Sequence, residues 1–87
     1  MYTNRTNPMT TRQREDADRA LWLRLAIKVL RATEHENGWV YRDDATGDRW
    51  IVAERDLLKL GRMLERGDDE AIAYSEWCSW TDGELAD

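Results

Sequence analysis

Eighty-seven residues carrying a net charge of −5 make one small domain, with no room for a second core. Phenylalanine is absent, so five Trp, three Tyr and the Leu/Ile/Val set must build the core, each aromatic burying roughly 150–250 Å². The longest apolar stretch, Ala20-Leu21-Trp22-Leu23, is far short of the ~18 residues of a membrane-spanning helix, and the single cysteine, Cys78, excludes an internal disulfide; a cytoplasmic protein with no membrane partner is expected.

Residues 1–9 (MYTNRTNPM) are polar, contain Pro8 and have no apolar period, so they read as a flexible N-terminal arm. Residues 10–87 read as a single α+β domain. It opens with a long central helix: Thr10 and Gln13 have capping-box spacing, and Glu15, Asp16 and Asp18 lie near the positive end of the helix dipole. From Ala17 to Ala32 the apolar residues cover a wide arc, which predicts contacts on more than one side. Arg24, Lys28 and Arg31 form a narrow basic stripe on the same helix. Asn37-Gly38 is the first pair that tolerates a left-handed backbone, so the helix is expected to end there, with His35 in its last turn beside the negative end of the dipole.

Trp39-Val40-Tyr41-Arg42 and Arg49-Trp50-Ile51-Val52 flank an Asp/Gly-containing turn and predict a two-stranded antiparallel β-hairpin. With Asp43 opposite Asp48, Tyr41 faces Trp50, Trp39 faces Val52 and Val40 faces Ile51. That register gathers the three aromatics and Val52 on one face, expected to pack on the first helix, because a lone hairpin is marginal in water. Two shorter helices follow. One runs from Glu54 to Arg66, acids first and bases last, with Leu57, Leu58, Leu60, Gly61 and Leu64 as its apolar face, and stops at Gly67. The other runs from Asp69 to Trp80, capped by Asp68, with Ala73, Tyr74, Trp77 and Trp80 along one face and Ile72, Ser75 and Ser79 pointing elsewhere. The tail from Thr81 to Asp87 is expected to fray.

Charge is distributed unevenly. Residues 67–87 hold seven acids (Asp68, Asp69, Glu70, Glu76, Asp82, Glu84, Asp87) and no base, together with Tyr74, Trp77 and Trp80. Acids steer a basic partner, and Trp and Tyr are the side chains most used as buried anchors. Asp68, Asp69, Glu70, Tyr74, Glu76, Trp77 and Trp80 are therefore the candidate partner-binding residues. The competing account makes Tyr74 and Trp77 core residues and the acids a solvated surface.

Other chemistry finds little support. His35 is the only histidine, and Glu34-His35-Glu36 cannot converge on one ion from a single helix turn, so no metal is expected. Neither GxGxxG nor GxxxxGK[ST] occurs, and no oxyanion motif accompanies Cys78, so neither a cofactor nor catalysis is expected. A helix-turn-helix reading around Gly67 would present Asp69 and Glu70 to phosphates, the wrong sign for direct nucleic-acid binding.

The expected function is a non-enzymatic, acidic protein-binding module that occupies a basic, nucleic-acid-binding surface of another protein. Small phage-encoded antagonists of host defence, anti-CRISPR proteins among them, belong to this size and charge class; the likeness is one of class and rests on no shared motif. Eleven arginines against two lysines fit a GC-rich bacterial or phage genome. The alternatives are a homodimer built through surface aromatics, and a small enzyme or ligand-binding domain with a pocket lined by Trp39, Tyr41 and Trp50.

Overall fold

The computed structural model describes residues 10–86; the expected flexible arm, residues 1–9, lies outside them. The described residues form an α+β fold of three helices and a four-stranded antiparallel sheet: α1 (Thr11–Leu30), β1 (Thr33–His35), β2 (Gly38–Arg42), β3 (Arg49–Val52), α2 (Glu54–Glu65), α3 (Glu70–Trp80) and β4 (Glu84–Leu85). The sheet order is β1-β2-β3-β4, so the hairpin read from sequence is the centre of a sheet with two short edge strands added.

The capping box forms. Thr10 Oγ1 accepts the Gln13 backbone N–H, and Gln13 Oε1 accepts that of Thr10. The acids expected at the positive end begin one turn too late, and the first turn of α1 contains none. The helix also ends seven residues earlier than Asn37-Gly38 suggests. Arg31 turns left-handed at φ 55°, its N–H still bonded to the Ile27 carbonyl, and the chain re-emerges as β1. Glu34 and His35 are therefore strand residues, and Glu36-Asn37 is the two-residue turn between β1 and β2. His35 does not sit at a helix end; its Nδ1 accepts the Asn37 N–H across that turn. Gly38, at φ 141°, runs so close to β3 that any Cβ would fall on the Val52 carbonyl.

The β2–β3 register is the one the alternation predicts: Trp39 opposite Val52, Val40 opposite Ile51, Tyr41 opposite Trp50 and Arg42 opposite Arg49. Asp43 closes the loop by giving its N–H to the Asp48 carbonyl and accepting the Ala45 N–H on its carboxylate. Glu84 and Leu85 pair with Ile51 and Trp50, so these two residues of the tail expected to fray form an edge strand.

Through Ala26 and Leu30, α1 shares one core cluster with Tyr41 and Val52 of the sheet, as expected, but it is not the aromatic face's sole support. The sheet's aromatic face takes its ring contacts from α3: Tyr41 meets Tyr74 edge-on at 6.3 Å and Trp77 at 5.6 Å between ring centres. The principal partner of α1 is α2. The two helices touch backbone to backbone at Gly61, where a Cβ would fall on the Trp22 carbonyl. Around that crossing, Trp22 donates its indole N–H to Glu65 at 3.0 Å, the Arg62 guanidinium lies over the Trp22 ring, and Arg19 pairs with Glu54 at 2.6 Å. The Arg19 hydrogen bond holds the Glu54 carboxyl below its ordinary range. The core is a single cluster drawn from all three helices and the central hairpin, including Ala26, Leu30, Tyr41, Val52, Leu57, Leu60, Met63, Ala73 and Trp77.

Candidate functional site

The residues singled out by charge and aromaticity lie on and around α3, and the helix sorts them. Asp69, and not Asp68, is the N-cap: its Oδ1 accepts the backbone N–H groups of Ala71 at 3.0 Å and Ile72 at 3.1 Å. Asp68 faces back toward α2, where Arg66 donates to both of its oxygens, at 2.6 and 3.3 Å. That pair lowers the Asp68 pKa through the Arg66 hydrogen bond and charge. Asp68 is thus partly neutralised, and Asp69 has a structural task.

Trp77 is 0 % exposed. Its indole N–H is spent on the Asp56 carbonyl at 2.7 Å, and its ring packs on Tyr41 and Tyr74. It is a core residue, and in this fold it offers a partner no surface. Tyr74 is half-buried in the same ring cluster. Burial pushes the Tyr41 and Tyr74 phenols above their ordinary value, and the neighbouring Cys78 thiol adds to both shifts.

The residues that do reach solvent are Asp69, Glu70, Glu76 and Trp80. Trp80, 45 % exposed, lies along the edge of α2 with the Lys59 ammonium 5.5 Å from its ring centre. Lys59, Arg62 and Arg66 share a groove with Glu76 and Trp80. The acid run is therefore not an isolated negative face, because the bases of α2 border it on one side.

The outward side of α3 is different. Ala71, Ile72, Ser75, Glu76 and Ser79 form a shallow open surface without a base. Ile72 there is 63 % exposed, the most exposed large apolar side chain among the described residues. Ile72, Ser75 and Ser79 stand away from the buried stripe of Ala73 and Trp77, as the helical period sets them. On this surface Ile72 is an exposed apolar side chain, the small side chains beside it permit close approach, and Glu76 supplies a carboxylate; Trp80 stands at the neighbouring edge toward α2, and Glu70, two residues before Ile72, points to the other side of the helix.

Among the described residues no three His, Cys, Asp or Glu side chains converge to hold a metal ion, and no helix is long and apolar enough to cross a membrane. The pocket expected between hairpin and helices is lined by Tyr41 and Trp50 but not by Trp39. Comparison with protein-family models, curated proteins and solved structures finds no match to this chain.

Proposed function

We propose that the chain is a non-enzymatic, acidic protein-binding module that docks the outward side of α3 on a basic surface of a partner protein. The observation that carries this reading is exposed Ile72 beside Glu76 in a patch of alanine and serine without a base, with exposed Trp80 at the neighbouring edge and exposed Glu70 in the first turn of the helix. An exposed apolar side chain flanked by small residues gives a partner an anchor to cover. Carboxylates beside it favour a basic partner and speed its encounter. A protein surface that ordinarily binds nucleic acid has the matching charge. Occupying it makes the module an inhibitor that competes with phosphates, in the manner of small phage or mobile-element antagonists such as the anti-CRISPR class. Direct nucleic-acid binding and membrane association have no part in this reading, and a free thiol without a disulfide fits a reducing cytoplasm.

The test is affinity capture from lysate of the cells that encode the protein, comparing wild type with a Glu70→Lys/Glu76→Lys variant at low and high salt. Asp69 is left intact because its carboxylate caps α3. The reading predicts one dominant partner that is retained at low salt, washed away at high salt and lost from the variant, while the circular dichroism spectra agree. Equal capture by the variant overturns it.

A second reading, homodimerisation, draws on α1. Leu21 and Leu25 lie on a different side of that helix from buried Ala26 and Leu30, yet are only half-covered. A mass in light scattering that rises with concentration and returns to the monomer value in Leu25→Glu would favour this reading.

A further inference from the structure

A concave feature separate from the outward side of α3 lies between the hairpin and the chain that follows the helix. A cavity of about 220 Å³ is lined by Tyr41, Asp43 and Trp50 from the hairpin region, Cys78 from α3, and Thr81 and Asp82 from the segment leading to β4. The volume is below the roughly 300–1,000 Å³ of a site for a drug-sized molecule, and it suits the head group of one side chain.

The lining has an uncommon balance. It offers two aromatic rings, two carboxylates, a hydroxyl and a thiol, and it contains no Lys or Arg. Neither Asp43 nor Asp82 takes part in an ion pair among the described residues. One oxygen of Asp43 accepts the Ala45 N–H, which leaves the other for a ligand. Tyr41 is only 7 % exposed. Its hydroxyl has the Cys78 thiol and the Tyr74 hydroxyl as polar neighbours, both modest partners, so a buried oxygen keeps hydrogen-bonding capacity. A larger neighbouring cavity of about 430 Å³ shares Asp43, but Arg31 and Arg42 line it together with Asp44, so its charges are mixed. The smaller cavity combines two carboxylates with two aromatic walls and no basic side chain in its lining.

A planar cation suits those walls. Guanidinium stacks on an indole face, donates a fork of N–H groups to carboxylates, and gives up its hydration more readily than ammonium. Building on the reading of the chain as a module for a basic protein, we propose that this cavity receives the guanidinium of an arginine side chain of that partner, stacked on Trp50 and hydrogen-bonded by Asp82 and Asp43. The outward side of α3 then supplies area, and the cavity supplies selection for arginine over lysine.

The test needs no partner, so its failure is distinguishable from failure of the docking surface. The purified protein is titrated with N-acetyl-arginine amide, following the Trp50 indole N–H by NMR and the alkylation rate of Cys78 by iodoacetamide. The expected result is a saturable movement of the Trp50 signal, slower alkylation of Cys78, and weaker responses to N-acetyl-lysine amide and to the neutral isostere N-acetyl-citrulline amide. Asp82→Asn should weaken binding about tenfold, the loss of one charge-assisted hydrogen bond. Asp43 also closes the hairpin loop, so Asp82 carries the test. Glu70→Lys/Glu76→Lys should leave the titration unchanged. An equal response to the citrulline amide, or no movement of Trp50, overturns the proposal. Tighter binding of free arginine than of the blocked amide overturns the assignment to a side chain.

Discussion

Trp77 and Trp80 are three residues apart on α3, share one side of the helix in the sequence reading, and meet opposite fates. Trp77 falls where α2 and β2 close over it, and the Asp56 carbonyl satisfies its indole N–H, so the largest side chain of the core is buried without an orphaned donor. Trp80 lies one turn further along and reaches the rim, held by cation–π contact with Lys59. Trp77→Ala should therefore cost about 3–5 kcal/mol, whereas Trp80→Ala should stay within about 1 kcal/mol; urea titrations of the two variants check the contrast. The ring cluster around Trp77 also sets an alkaline limit. The Tyr41 and Tyr74 phenols ionise above their unfolded value of 10.0, chiefly because burial disfavours phenolate. The unfolded chain loses those protons first, so stability is intact below pH about 10 and falls as pH rises beyond it. Absorbance at the tyrosinate band should show these two phenols ionising together with loss of near-ultraviolet circular dichroism. Their ionisation in a protein that remains folded would contradict the burial argument.

At the scale of elements, legibility followed the strength of the local code. The hairpin was read to the residue pair because period-two alternation and the Asp43–Asp48 turn fix its register together. The capping box at Thr10 and the stop at Gly67, which has φ 97°, were equally clear. The end of α1 was not, because Arg31 adopts the left-handed conformation without glycine or asparagine to announce it. β1 and β4, three and two residues long, are too short to carry a period, and each exists because a neighbouring strand offers an open edge. Asp68 and Asp69 are both capable caps, and only the path of the chain after Gly67 decides between them. For the candidate site, the run of acids on and around α3 is legible in the sequence, whereas the burial of Trp77 and the exposure of Ile72 are not, because they depend on which side of the helix meets α2 and the sheet. Gly61 tests that helix packing directly. An alanine there gains about 1 kcal/mol of helix propensity but forces α2 away from Trp22. Gly61→Ala should still lower stability by about 1–3 kcal/mol in chemical denaturation, and a gain in stability would mean that the two helices do not approach as described.

Considered whole, the molecule disperses its charge differently from its sequence. Glu76 and Trp80 share a groove with the bases of α2, and Arg66 takes Asp68, so within α3 the acid run is divided between a side bordered by bases and an outward side without them. Under the proposed reading the labour divides: buried Trp77 holds the helix in place, and exposed Ile72, Glu76 and Trp80 would meet the partner. The most direct measurement is site-specific photo-crosslinking. A photoreactive residue is placed at Ser75, in the middle of the outward side of α3, and in a second variant at Arg49, on the outer side of the sheet. The account predicts a discrete crosslinked adduct from Ser75 in lysate of the encoding cells, suppressed by high salt, and none from Arg49. An adduct from Arg49 alone, or none from either position, would contradict docking through α3.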